Sequence, residues 1–451
     1  MFKRVLVANR GEIALRVVRA LRELGVESVV AYSTVDKDTL AVREADKAVC
    51  IGPGPSNMSY LDMTRIIGAA TSTGCEAVHP GYGFLSESSE FARACVDNGL
   101  VFIGPSPDVI DKMGEKSNAK QTMIAAGVPC VPGSDGEVDT VEEAAKFANE
   151  VGYPVLVKAS LGGGGKGMRE VHSASDLKSQ YDNARAEARV AFGNDAVYLE
   201  KLIARPRHVE IQALADNFGH VAALCERDCS VQRRHQKLVE EAPSPALTPE
   251  LREAMCESAR KACRGVGYTN AGTIEFLLDT DGKYYFMEMN TRIQVEHGVT
   301  EQITLTDLVA EQLRIAAGEP MTVPDGGITQ PMGHAIEFRI NAEDPAAGFR
   351  PNPGKITRLE IPGGPGVRVD THVYAGYTIP PTYDSLVAKL VVWGPTREAA
   401  LARGARALDE FVIEGINTTI PFHKELVRNE VFQSGEVYTD FIERNMSGYL
   451  S

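Results

Sequence analysis

The sequence predicts a mixed fold, α/β at its start and α+β further on, divided among about three domains: 451 residues at roughly 150 per domain. Three observations carry this. Short β-branched runs alternate with longer amphipathic stretches through the first hundred residues. A later segment reads as two strands joined by Asp-Gly. Pro/Gly-rich turns cluster at 345–354 and 361–366. In order, Val5–Ala8, Ser28–Tyr32, Ala77–His79 and Val101–Ile103 are expected strands and Glu12–Leu24 a helix, the pattern of βαβ units on a parallel sheet. The first strand-to-helix turn, Asn9-Arg10-Gly11-Glu12, lacks the G-x-G-x-x-G spacing that lets a pyrophosphate approach the backbone, which argues against a dinucleotide site. The turn cluster from Pro129 to Gly136 marks a passage into a separate module, with boundaries expected near 115 and 130. A segment from about 131 to 203 carries its own strands, Val155–Ala159 and Val197–Leu199, and is small enough to move as a lid. The late turns point to antiparallel β structure towards the end.

Composition narrows the function classes. With 43% hydrophobic and 24% charged residues the chain sits at the globular average, far from disordered or fibrous sequences. The 47 Lys and Arg against 61 Asp and Glu give a net charge of -14, a field that repels nucleic acid and anionic membrane surfaces, so an anionic ligand needs a local basic pocket. The eight cysteines form no C-x-x-C pair and have no zinc-finger spacing to histidines, so they are expected to be reduced, small apolar residues. No run approaches the roughly 18 apolar residues of a membrane span, and the start, Met1 to Asn9, reaches a polar residue after four apolar ones. A complete, unsecreted, cytoplasmic protein is the expectation.

Three motifs carry chemistry. Lys158 ends an apolar strand, and Gly162-Gly163-Gly164-Gly165-Lys166-Gly167 follows, where bare N–H groups could wrap a polyphosphate. The Walker A pattern is absent, so this is a phosphate loop of another kind or a plain linker, although a linker has no reason to be flanked by Lys158, Lys166 and Arg169. Next, Thr273 to Asn290 reads as a hairpin. With Asp281 and Gly282 as the two central turn residues, Thr280 faces Lys283 and Glu275 stands opposite Glu288, with Asn290 on the same face. Opposed carboxylates roughly 5 Å apart destabilise a sheet unless a cation lies between them, for which Mg²⁺ is the natural candidate. A solvated face or another register is the alternative. Last, Glu226 to Lys237 is a cationic knot in an acidic protein, and Arg292 and Glu296 follow the hairpin closely. Such a run is often a solvated face. Beside a metal hairpin, it places a cation and a general base next to phosphates, an arrangement suited to a small anionic acceptor of a phosphoryl group.

Taken together, Ala8 to Arg16, His79 to Glu87, Lys158 to Arg169, Glu226 to Lys237, Glu288 to Glu296 and Arg339 to Pro345 resemble, in order, the motifs of biotin carboxylase, a member of the ATP-grasp superfamily. The resemblance implies an ATP-grasp fold: an N-terminal parallel αβ domain over 1–114, an ATP-grasp domain over 115–334 with a mobile glycine-loop lid at about 131–203, and a C-terminal mixed β domain over 335–451. It further implies that ATP and Mg²⁺, or Mn²⁺, turn bicarbonate into carboxyphosphate, whose CO₂ is added to the ureido nitrogen of biotin. Phosphorylation gives bicarbonate a leaving group, and metal and lysines stabilise the transferring charge.

Carried over by position, Lys116, Lys158, Gly164 and Gly165 resemble phosphate contacts, and Glu200, Lys201, His208, Gln232, His235 and Leu277 the adenosine pocket. Glu275 and Glu288, with Asn290, match the metal ligands. Lys237, Arg292, Gln294, Val295 and Glu296 match the bicarbonate cradle, with Glu296 as base, and Tyr82 and Arg339 the residues that hold biotin. Tyr82 reads equally as a turn aromatic, His79 and His297 as structural, and Cys229 as a buried apolar residue. One departure stands out: the family usually has proline after the Glu-His pair, and this chain has Gly298, which loosens the backbone beside the base and predicts a small rate penalty. No Met-Lys-Met occurs for attaching biotin. Biotin is therefore expected on a separate carboxyl carrier protein, with a separate carboxyltransferase, most simply that of acetyl-CoA carboxylase. The resemblance also suggests a homodimer. An ATP-grasp ligase joining a carboxylate to an amine, and a nucleotide-sensing subunit, are the competing classes. The first is not expected to share 226–237 and 288–296, and the second is expected to have lost Lys237, Glu275, Glu288 or Arg339.

Overall fold

Val5 and Val7 of the first strand join one apolar cluster, while Leu6 and the following Ala8 join another, so both faces of the strand are buried, as a parallel sheet requires. β1 (Arg4–Val7), β2 (Glu27–Ser33), β3 (Lys47–Gly52), β4 (Ala77–His79) and β5 (Val101–Phe102) form this sheet in the order β3-β2-β1-β4-β5. Every pairing is parallel. The helix Gly11–Glu23 supplies Ile13, Val17 and Leu21 to the first cluster, where Leu308 and Leu313 of the helix Leu308–Ala316 meet them. Phe91, Phe102 and Ile66 fill the second.

The computed structural model describes residues 1–160 and 168–449. The chain divides into two compact units, one of Met1–Val128, Arg207–Phe276 and Glu288–Ser451, the other of Pro129–Pro206 with Leu277–Met287. The second holds β6 (Val155–Ala159), β7 (Met168–Val171) and β8 (Val197–Lys201), antiparallel in the order β7-β6-β8. The helices Val141–Val151 and Ala174–Phe192 accompany them, and Val155, Val157, Tyr181 and Leu199 lie in this unit's own core.

A nine-stranded sheet lies mostly in the first unit, with Leu277, Leu278 and Tyr284–Met287 of it counted in the second. Its strands are β9 (Arg207–Ala215), β10 (Val221–Arg233), β11 (Gln236–Ala242), β12 (Asn270–Leu278), β13 (Tyr284–Asn290), β14 (Gly326–Ile328), β15 (His334–Asn341), Val367–Thr371 and Leu386–Gly394. From one edge the order is β13-β12-β9-β10-β11-β15, then Leu386–Gly394 and Val367–Thr371, with β14 parallel to β10. The antiparallel structure expected late in the chain is here, in β15 paired with Leu386–Gly394 and that strand with Val367–Thr371. Phe338, Leu390 and Val392 pack with Leu408 of the helix Arg397–Glu410. Among the described residues no helix is long and apolar enough to cross a membrane.

The Asp-Gly turn departs from its expected form. Asp279 N–H donates to Lys283 O (2.7 Å) and Gly282 N–H to Asp279 O (3.1 Å), so the loop is the three residues Thr280-Asp281-Gly282, with Gly282 at φ 82°. Thr280 therefore does not face Lys283. The Asp279 carboxylate accepts Thr280 N–H (2.7 Å) and that of Asp281 accepts Lys283 N–H (3.0 Å), local bonds that favour the longer loop with a left-handed glycine. The closing pair moves by one residue, and the direct opposition of Glu275 and Glu288 loses the register on which it was built.

Buried titratable groups make the fold acid-sensitive. Burial pushes His79 and His423 down to about 4 and His297 and His372 to about 3. Burial pushes Glu241 up, but His334 (2.7 Å) and Arg397 (2.8 Å) overcome it and hold the carboxylate down at about 2. Depressed values in the folded state mean stabilisation that is complete above each group's unfolded value and lost as pH falls towards the folded one. The melting temperature is expected to fall from about pH 6.5 downwards as the histidines charge. A second loss, from Glu241, is expected below about pH 4.5. Thermal melts across that range check both, and a flat profile from pH 7 to 5 would contradict the first.

Candidate active site

In the first unit, one ammonium gathers three carboxylates. Lys237, on β11, places Nζ 2.6 Å from Glu210, 3.1 Å from Glu275 and 2.7 Å from Glu296. The strands impose this arrangement. β9 reads Arg207-His208-Val-Glu210-Ile-Gln212, alternating polar and apolar although all nine of its residues are buried, and Glu210 lies in register opposite Arg227 of β10. Gln232 lies opposite Lys237 across the next pairing. Burial opposes the Lys237 charge, but its carboxylates outweigh that and hold the ammonium well above its usual value.

Arg339, on β15, closes the other side. Its guanidinium donates to Glu240 (2.7 Å) and to Glu296 (2.9 Å), so Glu296 sits between Lys237 on one oxygen and Arg339 on the other. Burial pushes the Glu296 carboxyl up, yet Lys237, Arg339 and Arg227 together hold it well below the ordinary range. It is ionised, and so able to accept a proton. Held by two cations, it takes a proton readily only once they turn towards other anions, so anion binding and basicity are linked.

Beneath this layer Arg227 is fully buried and donates to Glu210 (2.5 Å), Gln212 (2.8 Å), Thr300 (2.9 Å), Thr273 (3.2 Å) and Gln294 (2.8 Å). Gln294 passes the order on, its amide donating to Glu275 at 2.7 Å. His208 lies 2.8 Å from the other Glu275 oxygen, and its Nδ1 meets Gln232 Nε2 at 2.9 Å. Arg292 donates to Glu87 (2.9 Å) and to Asn290 Oδ1 (3.1 Å). Val295 offers its carbonyl to the fully buried Lys389 at 2.7 Å.

The N-terminal motifs serve the same unit. Asn9 donates to Pro80 O (2.6 Å) and Tyr82 O (2.8 Å), fixing the loop that carries Tyr82. A Cβ on Gly81, at φ 62°, would lie 2.9 Å from that Asn9 amide, so glycine is required there. The Tyr82 hydroxyl donates to Glu12, and Asn9, Arg10, Glu12, Tyr82 and Asp384 line a cavity of about 160 Å³. Arg10 pairs with Asp36 at 2.9 Å, which explains the conspicuous charge in a turn with no dinucleotide motif. His79 Nδ1 accepts Gly81 N–H at 3.0 Å, His297 Nδ1 lies 2.9 Å from Gln294 O, and Cys229 is a buried thiol raised well above its usual value by burial, all structural roles.

The oxygen donors fit a hard divalent cation. Glu275 is buried, and Lys237 and His208 overcome the effect of burial to hold it ionised, well below the usual range. Asn290 donates to Glu275 at 2.8 Å and turns its own Oδ1 to Arg292, while Glu288 is half-buried at the end of β13. Two carboxylates and an amide oxygen are the ligand chemistry Mg²⁺ takes. Within this unit the Lys237 ammonium lies 3.1 Å and the His208 ring 2.8 Å from the Glu275 carboxylate.

In the second unit Lys158 donates to Glu200 at 2.8 Å and lies 5.4 Å from the centre of the Tyr198 ring. Lys201 donates to Gly152 O (2.9 Å) and Tyr153 O (3.2 Å), and Leu277 is half-buried. His235 is not drawn into the cluster: it is exposed with Arg234 in the tight turn between β10 and β11, both at positive φ. Gly164, Gly165 and the Lys116 side chain lie outside the described residues. Sequence reasoning missed Glu210, Arg227, Glu240 and Lys389. Alternating charge inside the strands Arg207–Ala215 and Val221–Arg233 was the available signal.

Residues 1–110 match the family described as the biotin carboxylase N-terminal domain, residues 115–323 the carbamoyl-phosphate synthase L chain ATP binding domain, and residues 337–444 the biotin carboxylase C-terminal domain. The chain is 55% identical to a biotin carboxylase of Nostoc sp. over 98% of its own length and 99% of the relative's. It is 53% identical to a pyruvate carboxylase subunit of Methanothermobacter thermautotrophicus, over 99% of its own length and 91% of the relative's. Among solved structures, the biotin carboxylase domain dimer of Hydrogenobacter thermophilus 2-oxoglutarate carboxylase, in complex with MgADP, ADP and bicarbonate, matches with a TM-score of 0.89 and 50% identity, covering 100% of this chain and 99% of that one. The chain belongs to the biotin carboxylase family of ATP-grasp enzymes, which work with ATP and Mg²⁺.

Proposed function

We propose that the chain uses ATP and Mg²⁺ to carboxylate biotin with bicarbonate, through carboxyphosphate, on a separate carrier protein, as the first half-reaction of a multisubunit acetyl-CoA carboxylase. The observation that supports the chemistry is the Lys237–Glu296–Arg339 array, a carboxylate between two cations able to receive anions. In this reading Glu275, Glu288 and Asn290 hold the metal, and Lys116, Lys158, Gly164 and Gly165 the phosphates. Glu200, Lys201, His208, Gln232, His235 and Leu277 hold the adenosine. Lys237, Arg292, Gln294 and Val295 seat bicarbonate, Glu296 takes its proton, and Tyr82 and Arg339 hold biotin. The divisions 1–114, 115–334 and 335–451, a homodimer and a cytoplasmic setting belong to the same reading.

The test is ATP cleavage by the purified protein with Mg²⁺, with and without bicarbonate, then with free biotin. Bicarbonate dependence and acceleration by biotin support the reading, and indifference to both sinks it. A second reading, part of a pyruvate or 2-oxoglutarate carboxylase, is favoured by the relatives of those names. Carboxyl transfer from the loaded carrier to acetyl-CoA or to the oxo acids, with the cognate transferase supplied, separates the two.

Gly298 bears on the rate. It is the second residue of the helix His297–Thr304, where proline is tolerated, and a Cβ there would lie 3.2 Å from both Glu337 Oε2 and Val391 Cγ2. Gly298→Pro is expected to raise turnover by up to about twofold by fixing the backbone beside Glu296. Unchanged or lower turnover would count against a loosened base.

A further inference from the structure

Behind Arg339 lies a pair of carboxyls that the proposed reaction does not use. Glu240 of β11 and Glu337 of β15 stand directly opposite each other in register, and neither is accessible to solvent. Directly opposed residues of neighbouring strands have Cβ atoms roughly 5 Å apart. Glu240 spends one oxygen on Arg339. Its other oxygen, and both oxygens of Glu337, have no hydrogen-bond partner among the described residues. Among the described residues, those acting on Glu337 include Arg339 on its own strand, Glu240 on β11, Lys389 on Leu386–Gly394, and Glu296, and the covering helix also buries His297 and Glu301. Lys389 is already committed to Val295 O (2.7 Å), Glu12 (3.4 Å) and Asp370 (3.8 Å). Arg397 is paired with Glu241. The helix start covers the pair closely: a Cβ added at Gly298 would lie 3.2 Å from Glu337 Oε2.

Two buried like charges facing each other, with Arg339 bonded to only one of them and Lys389 shared with Glu12 and Asp370, are not both sustained. We propose that Glu240 and Glu337 form an acid pair that shares a single proton and, through it, sets how firmly Arg339 is held back from its substrate. The inference rests on the biotin reading of Arg339. With one proton the pair carries one negative charge, enough to orient the guanidinium and weak enough to release it. When pH rises and that proton leaves to water, the doubly ionised pair grips Arg339 and the biotin step slows. Burial acts in the same direction, pushing Glu240 up to about 7 and Glu337 well above the carboxylate range. Glu240 and Glu337 are positioning residues in this scheme, acting only through Arg339.

Two readouts test it on the full chain. Infrared difference spectra of parent minus Glu337→Gln, and of parent minus Glu240→Gln, are expected to show loss of the same protonated-carboxyl C=O band at neutral pH, since either change leaves one carboxyl that ionises beside Arg339. Retention of that band in either variant overturns the shared proton, whatever the enzyme's activity. The pH profile of biotin-dependent turnover is the second readout. Glu337→Gln also carries one negative charge at the pair, so its neutral rate is expected within about threefold of the parent while the alkaline decline disappears. Glu240→Gln is expected to raise the biotin KM at least tenfold, because the guanidinium loses the carboxylate of β11 that orients it. A Glu337→Gln profile that is lowered evenly at every pH, or is superimposable on the parent's, overturns the coupling to Arg339. Bicarbonate-dependent ATP cleavage without biotin, measured alongside, reports separately on the underlying carboxylase reading.

Discussion

Lys237→Met should lower bicarbonate-dependent ATP cleavage at least about a hundredfold, the scale on which losing one preorganised charged donor acts. The reason is geometric. Its Nζ lies within 3.1 Å of Glu210, Glu275 and Glu296, so one substitution leaves three buried carboxylates without their common cation. Burial pushes Glu275 and Glu296 up and Lys237 is the foremost group pulling both down. Without it both should take up protons nearer neutrality, and Glu296, the proposed base, would be protonated before it can act. The expected signature is a loss in kcat greater than in the KM for ATP, with the residual rate rising with pH. A variant that keeps more than a tenth of the parent rate at neutral pH would remove Lys237 from the centre of the site.

Arg227→Met should be the most destabilising single change in the first unit, by about 3–5 kcal/mol, because it removes one partner from a buried ion pair and orphans four further polar groups. The side chain is wholly buried and its five hydrogen bonds reach β9, β12, the Gln294 loop and the helix His297–Thr304. Of the groups assigned to substrate it touches Gln294, and it reaches Lys237 through Glu210. Chemical unfolding should therefore register the change, and activity should fall because Gln294 no longer orients Glu275. A midpoint within error of the parent's would mean that the polar layer under the site rearranges around a methionine, which close packing of these strands argues against.

Much of the architecture was legible locally. Parallel β-branched runs separated by amphipathic stretches are decided by periodicity, and β4 and β6 fall on Ala77–His79 and Val155–Ala159 as read from the sequence. The Asp-Gly signal located a hairpin but mistook a three-residue loop for a two-residue one, because the choice lay in side-chain bonds of Asp279 and Asp281 that composition does not rank. Lys237, Glu296 and Arg339 were legible as residues of a resembling motif. That they form one chain of charge was not, since 43 residues separate Glu296 from Arg339 and 59 separate Lys237 from Glu296.

By itself the sequence determined the fold class, the family and the set of groups able to handle anions, because these rest on local periodicity and on contiguous motifs. Only the tertiary structure decided which carboxylates share Lys237, that Arg227 underlies them, and that Glu240 and Glu337 face each other behind Arg339. Strand order and register juxtapose residues far apart in sequence, and a buried charge is set by whatever the neighbouring strand happens to place against it.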